Sequence, residues 1–314
     1  MQRFDVYAYG VIAASTLHLL SQPFPPSEGY AEIERTYPMT GGEALNSSIV
    51  LSRLGLRVLL DGNWIGDTAE GRWLLETIQG YKIDARRLRA RKGYSGVREV
   101  VFSDVRSRTI FGTYVDLLSG RRKWNIPRKA DLAKAKIVCV DPPFRDESLL
   151  VGRYATELGI PFVTIDCPYS HELAIGAEAV IVSREFRRQE YPQSYLAELF
   201  SEYQQRVGGL VVFTAGSEDI WYGRKGEPVR RFRPCRVKTK DSTGAGDSFR
   251  AGIIHGTLNK WSDGASVRYA AALAAMVCTS VPGVLDSPTH DAVMQFLHRV
   301  DVPLEPIATG QMAH

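Results

Sequence analysis

Short apolar or β-branched runs alternate along this chain with longer stretches in which apolar positions recur every three or four residues. The short runs fall at 6–11, 58–62, 136–141, 162–166, 179–183 and 210–214, and most are followed by a turn. The helical periods fall at 44–54, 67–79, 146–158, 195–207, 246–258, 263–280 and 290–299. Strand alternating with helix gives parallel strands covered by helices on both faces. The pattern therefore predicts an α/β fold, a three-layer α/β/α, doubly wound, mostly parallel sheet. Ligands bind to such sheets outside the carboxyl ends of the strands.

Two segments break the alternation. Residues 30–39 have extended character. Within 96–123, Val97, Glu99, Val101 and Ser103 alternate and lead to Arg108-Thr109-Ile110-Phe111, which suggests a hairpin. Both are too polar and too isolated for the main sheet, so they read either as a surface hairpin or as a small separate β-sheet over 12–40 and 94–124. The rest of 1–300 reads as one domain. The tail 301–314, with Pro303, Pro306 and Gly310, is expected to be loosely ordered.

Composition narrows the partners. The chain has 314 residues and a formal charge of +4, near the upper range for a single core. Its basic clusters, Arg86-Arg87, Arg121-Arg122-Lys123 and Arg187-Arg188, are short and separated, as on solvated faces rather than a nucleic-acid surface. No apolar run approaches the ~18 residues of a membrane span, and no basic, then apolar, then small-residue leader opens the chain. These features predict a cytoplasmic protein with neither membrane nor nucleic-acid partners. Cys139, Cys167, Cys235 and Cys278 are far apart without metal-ligand spacing, which fits reduced thiols.

The chemistry concentrates in Asp241-Ser242-Thr243-Gly244-Ala245-Gly246-Asp247-Ser248-Phe249, continued by Arg250-Ala251-Gly252. Gly244 and Gly246 let the backbone turn tightly and approach a ligand. A helix that begins near Asp247 presents unpaired N–H groups and the positive end of its dipole to an anion. A carboxylate beside that anion hole can take a proton from an alcohol as phosphate arrives. On four residues alone the same string also reads as an ordinary loop into a helix cap. Far upstream, Gly41-Gly42-Glu43-Ala44-Leu45-Asn46 leads into Ser-Ser-Ile-Val-Leu-Ser-Arg-Leu-Gly, with Leu45, Ile49, Val50 and Leu54 at helical spacing and Asn46 in the first turn.

Together and in this order the two motifs resemble the signatures of the ribokinase family, the phosphofructokinase-B type of sugar kinases. Gly66-Asp67 followed by Gly71 fits that family's next glycine-rich turn. The resemblance implies transfer of the γ-phosphoryl group of ATP, with Mg2+, to a sugar hydroxyl. It implies Asp247 as general base, ionised at pH 7 on the ordinary aspartate pKa of ~3.9, with Gly244, Ala245 and Gly246 as the anion hole. It places Gly41, Gly42 and Asn46 on the sugar and makes the small sheet a lid that closes on substrate and carries a homodimer contact. Arg108 would reach the phosphates from the lid, or be a solvated charge there. Thr214 and Gly216 resemble the family's Thr-x-Gly turn at ATP, and Ala275 and Cys278 would lie at the adenine or serve only the close packing of an alanine-rich helix. Asp241 and Thr243 resemble a monovalent-cation (K+) site, with Thr243 also at the nucleotide.

The chain departs from the family at two places. Ser15 stands where many members have an aspartate that holds two sugar hydroxyls, with Glu43 and Asp141 as carboxylates to compensate. Ser183-Arg184-Glu185-Phe186 stands where an Asn-x-x-Glu element is expected, leaving Ser183 at the nucleotide. The Asn-Ser-x-x-Val-Leu-Ser-x-Leu-Gly and Ser-Arg-Thr-Ile strings are similar to those of ketohexokinase-like members and lean toward a ketose. Two alternatives remain open: a nucleoside kinase, with Tyr30, Phe111 and Tyr114 as a wall for the base, and a sugar- or nucleotide-binding member without turnover. A dinucleotide oxidoreductase lacks support, because no Gly-x-Gly-x-x-Gly follows a predicted strand.

Overall fold

The computed structural model describes residues 3–104 and 107–300; the expectation for the tail 301–314 lies outside them. The main sheet has eight strands in the order Arg230–Phe232, Ile220–Gly223, Leu210–Phe213, Ala179–Val182, Phe162–Ile165, Ile137–Val140, Val6–Gly10 and Val58–Gly62. The six from Leu210–Phe213 to Val58–Gly62 are parallel, as the sequence pattern predicts. The other two extend one edge in antiparallel fashion. Both are short: the apolar Ile220-Trp221-Tyr222 spans only three residues, and Arg230 and Arg231 are exposed, so neither stands out as a strand in the sequence pattern.

Side-chain direction alternates along each strand and feeds two cores. Val6, Ala8, Ile137, Cys139, Ile181 and Val212 pack on one face with the helices Glu43–Arg53, Ala245–Leu258 and Asp263–Val277. Tyr7, Tyr9, Val138, Val140, Val182 and Phe213 face the other way, under Arg145–Glu157 and Leu196–Arg206. Thr68, Ser262 and Thr289 cap their helices through Gly71, Ala265 and Ala292 amides, each worth about 1 kcal/mol. The Thr68 cap is why the helix expected from 67 begins at Ala69.

The helix that carries the Gly-Ala-Gly-Asp motif is held by close approach. A methyl on Gly252 would stand 2.5 Å from the Ala270 Cα, and one on Gly256 would stand 2.3 Å from the Ser266 Oγ. Larger residues would drive Ala245–Leu258 away from Asp263–Val277 and displace its N-terminus, because a close-packed interior does not absorb the volume.

The polar segments form a separate four-stranded sheet, in the order Ile33–Gly41, Ala13–Leu20, Arg98–Ser103 and Arg108–Gly112. Ala13–Leu20 falls within the 12–40 segment expected for the small sheet, though its own alternation is weak in sequence; one partner, Ile33–Gly41, is the next strand of the chain and the other, Arg98–Ser103, is distant. Ser15 pairs with Met39 on one side and Glu99 on the other, and Glu99 in turn pairs with Gly112. After Gly112 the chain leaves the sheet through the short helix Tyr114–Leu118, and buried Trp124 bridges to Asn63. Among the described residues, no helix is long and apolar enough to cross a membrane. Cys139 and Cys167 are buried, Cys235 and Cys278 half-buried, and all four are free thiols.

Candidate active site

The two sequence motifs meet at the carboxyl edge of the main sheet. Asn46, in the helix Glu43–Arg53, donates from Nδ2 to Asp247 Oδ2 at 2.9 Å. The Thr40 hydroxyl donates to Asn46 Oδ1 at 2.9 Å, which fixes the amide so that its NH2 faces the carboxylate. Ser47 donates to the Asp247 carbonyl at 3.2 Å and binds the two helices together.

Asp247 is buried, 9% exposed. Desolvation raises its pKa to about 7, with Arg250 and the Asn46 hydrogen bond opposing and the Asp141 charge reinforcing. The expectation of a fully ionised aspartate at neutral pH is thereby corrected: burial leaves this carboxyl poised near pH 7, where a general base is most effective.

Gly244 caps the helix Ala245–Leu258 in the left-handed region at φ 76°, and no side chain caps it. A methyl there would collide with Val284 Cγ2 at 2.1 Å, whereas nothing lies within 4 Å of the corresponding position on Gly246. No side chain caps the start of this helix, although the Ala245 amide donates to the Ser242 carbonyl at 3.2 Å; a helix N-terminus left free of capping side chains suits a phosphate. Arg108, from the second sheet, donates from Nη1 to the Ser242 carbonyl at 3.0 Å and to its hydroxyl at 2.9 Å. Its charge lies close enough to favour ionised Asp247.

Asp141 takes a different place from the expected sugar-facing one. It is 1% exposed; Oδ1 pairs with Arg250 Nη1 at 2.5 Å and Oδ2 accepts from the Val11 amide at 2.9 Å. Both oxygens are held inside the protein, so the residue supports the site from beneath. Arg250, fully buried, also donates to the Ser47 hydroxyl through Nε at 3.1 Å and Nη2 at 2.9 Å. Arg250 follows the Gly-Ala-Gly-Asp motif in sequence with no role implied by the resemblance. An arginine within an otherwise apolar helix was the available signal, since a buried charge requires a partner.

Glu43 is half-buried, and its Oε2 is buried without a hydrogen-bond partner. Burial first, and then repulsion from Asp141 and Asp247, raise its pKa to about 8. Ser15 donates to Glu99 Oε2 at 2.5 Å, and the Tyr114 hydroxyl donates to Glu99 Oε1. A methyl on Gly41 would stand 1.9 Å from Glu99 Oε2 and 2.1 Å from Ser15 Oγ, so only glycine lets this cluster close. A methyl on Gly42, at φ 83°, would stand 2.4 Å from the Val11 carbonyl oxygen. Glu99, not singled out as a site residue from sequence, supplies the carboxylate that Ser15 lacks.

The three aromatics considered as a nucleobase wall are not brought together. Tyr30 is 77% exposed and bonded to Glu32, and Phe111 packs on Phe24 and Phe102. Phe111 pairs with Val100, one residue out of step with Glu99, so it points to the opposite face of its sheet from the Ser15–Glu99 cluster. Only Tyr114 reaches that cluster.

Toward the expected nucleotide side, Thr214 and Ser183 end neighbouring parallel strands. Ser183 donates through its amide and hydroxyl to Asp166 at 2.7 and 2.9 Å and caps the helix Arg184–Glu190. The Thr214 carbonyl accepts from Arg187 at 2.9 Å, and Gly216 turns at φ 62°. Ala275 is 9% exposed, in the helix whose C-cap is Cys278; the Cys278 carbonyl accepts from the Lys240 amide at 2.8 Å and ties that helix to the motif. Asp241 Oδ1 accepts from Ser103 and Thr243 hydroxyls, both at 2.9 Å, and its Oδ2 is buried without a partner. No group of three or more His, Cys, Asp or Glu among the described residues is arranged to hold a metal ion.

Comparison with known proteins decides the family. Residues 32–290 match the pfkB family carbohydrate kinase profile. This chain belongs to the pfkB family of carbohydrate kinases. It is 26% identical over 309 positions to the 5-dehydro-2-deoxygluconokinase of Geobacillus thermodenitrificans (strain NG80-2), covering 87% of this chain and 89% of that protein. The fold is that of a putative ribokinase from Agrobacterium tumefaciens (TM-score 0.80, 23% identity, 94% of this chain and 99% of that one). It is also that of Arabidopsis thaliana ribokinase complexed with ribose and ATP (TM-score 0.75, 17% identity, 95% and 99%). The protein is a phosphotransferase that acts on a sugar hydroxyl.

Proposed function

We propose that this pfkB kinase transfers the γ-phosphoryl group of ATP to a hydroxyl of a small carbohydrate, a ketose or a related sugar, with Asp247 as general base. The observation that carries the reading is the Asn46–Asp247 hydrogen bond at the mouth of an uncapped helix N-terminus. It sets a carboxyl with pKa about 7 beside an anion hole. Asp247 accepts the proton of the attacking hydroxyl while the amides of Gly244, Ala245 and Gly246 stabilise charge on the group in transfer. Asn46 holds the carboxylate in place, and Gly41 and Gly42 let the backbone approach the sugar.

The nucleotide lies against Ser183, Thr214, Gly216, Thr243, Ala275 and Cys278. Mg2+ neutralises phosphate charge when bound, and it would be held by phosphates and water, as this ion prefers. The buried, unpartnered Asp241 Oδ2 is the acceptor a monovalent cation such as K+ would take from this chain. The second sheet closes over the sugar, with Arg108 reaching the phosphate side. The exposed Val100 and Phe111, paired across the hairpin beside exposed Phe24, support a homodimer through that sheet, which light scattering tests.

The test is ADP release from ATP and magnesium over hexoses, pentoses, ketoses, sugar acids and nucleosides, with Asp247→Ala in parallel. Turnover of a sugar that is lost in the variant is the expected result. Nucleoside turnover in place of sugar, or substantial activity in the variant, would overturn the proposal.

A further inference from the structure

We infer that the sugar pocket is built for an uncharged polyhydroxy sugar and excludes sugar acids, with Glu99 as the residue that sets this selection. The inference rests on the kinase reading above and deepens it.

Glu99 lies directly against Gly41, the residue that the proposed function sets at the sugar. Ser15, Glu99 and Gly112 share one rung of the second sheet, and that rung faces Gly41. Ser15 and Tyr114 each donate to a different oxygen of Glu99. A carboxylate oxygen accepts more than one hydrogen bond, so Glu99 keeps acceptor capacity for sugar hydroxyls while its two partners fix its direction. Gly41 carries no side chain that would cover it.

Around this space the carboxyl groups Glu43, Glu99, Asp141 and Asp247 outnumber the cations Arg108 and Arg250. Glu43 and Asp247 repel each other across the same space, and both they and Glu99 disfavour ionisation of the Tyr114 phenol. The nearby cations are already engaged. Arg250 is fully buried on Asp141 and Ser47, and Arg108 is held on Ser242 at the anion-hole side. Glu43 Oε2 is buried without any partner. The pocket thus offers acceptors and protonated carboxyls to hydroxyl groups. A substrate carboxylate would add negative charge where burial already pushes Glu43 and Asp247 toward their protonated forms, and among the described residues neither Arg250 nor Arg108 is free of other partners to meet it.

The test compares sugar binding and sugar turnover for the wild type, Glu99→Gln and Tyr114→Phe. Ligands are matched neutral ketoses and polyols against keto-deoxy sugar acids, the kind for which the Geobacillus relative is named. Calorimetry reads binding without nucleotide, and ADP release reads turnover. The wild type should bind neutral sugars at least about 100-fold more tightly than the acids. Glu99→Gln should raise the neutral-sugar KM by about 10-fold, leave the ATP KM unchanged and narrow the neutral-to-acid ratio. Tyr114→Phe, which keeps the ring, should move the same quantities in the same direction by less.

Neutral-sugar binding without turnover would overturn the kinase reading and leave this selection standing. Preference for the acids, binding of neither class, or a Glu99→Gln protein with unchanged KM and unchanged ratio would overturn the inference itself.

Discussion

Asp247→Asn should make the protein more stable while removing its activity, and the pH dependence of the gain identifies the cause. Asp247 moves from an ordinary pKa of 3.8 in the unfolded chain to about 7 in the folded one. That is about three decades of proton affinity, or roughly 4 kcal/mol at ~1.36 kcal/mol per decade. The folded state binds the proton more tightly, so stability is lost as pH rises from the unfolded value through the folded one. Below about pH 4 both states are protonated and the group contributes nothing. Above about pH 8 the ionised carboxylate carries its full penalty.

Asparagine keeps an oxygen to accept from Asn46 and carries no charge. Its advantage should therefore be absent near pH 4 and grow to about 2–4 kcal/mol by pH 8.5, the lower figure allowing for relief shared with Glu43. Urea unfolding of both proteins at a series of pH values measures it, and parallel ADP release should show kcat down by about 10²–10⁴. A difference in stability that stays flat between pH 5 and 8.5, at constant m-value, would refute the buried-carboxyl argument. Retention of a tenth or more of the activity would refute the base assignment.

Three further outcomes follow from the same geometry. The wild-type kcat/KM for sugar should rise with pH with unit slope and level off above about 7, because the base must be deprotonated and its pKa lies there; a profile already flat at pH 5.5 would contradict this. Arg250→Met leaves Asp141 charged and unpaired in the core, so it should cost about 3–5 kcal/mol in denaturant unfolding. Adding Asp141→Leu should recover much of that loss, and simple additivity of the two would refute the pairing. Gly244→Ala forces a side chain into a left-handed turn and against Val284. It should weaken the ATP-induced rise in Tm and cost about 1–2 kcal/mol of stability, both measurable by scanning calorimetry.

The glycine-rich motifs were legible because their chemistry is local. Gly42 and Gly244 occupy backbone conformations other residues resist, and Asn46 and Asp247 sit in first turns that periodicity locates. The parallel sheet was legible for a similar reason: strands covered on both sides read as short apolar runs, and the six parallel ones fall where those runs lie. What escaped depends on pairing across the chain. Glu99 showed its alternation but not its neighbours, because Ser15 lies 84 residues away in a strand of weak pattern. Phe111 and Tyr114 are close in sequence yet serve different faces, since a sheet reverses direction at each residue and the chain leaves the sheet after Gly112. The antiparallel edge is two strands of four and three residues, too short for a period-2 pattern to register.

Arg250 shows why the state of Asp247 was beyond a local reading. The sequence places the two one helical turn apart, which suggests a simple ion pair. The fold gives the arginine to Asp141 instead, 109 residues away. From there its charge only partly offsets the burial of Asp247, and Asp141 adds repulsion of its own. A direct pair would hold the carboxylate ionised and weakly basic, while no arginine would leave it protonated well above neutrality. The intermediate position yields a group near pH 7 that is ready to accept a proton as the hydroxyl attacks. Burial raises the basicity of Asp247 first, and Arg250 and Asp141 then trim it in opposite directions, so substitutions at Arg250 or Asp141 should shift the pH profile even where the fold survives.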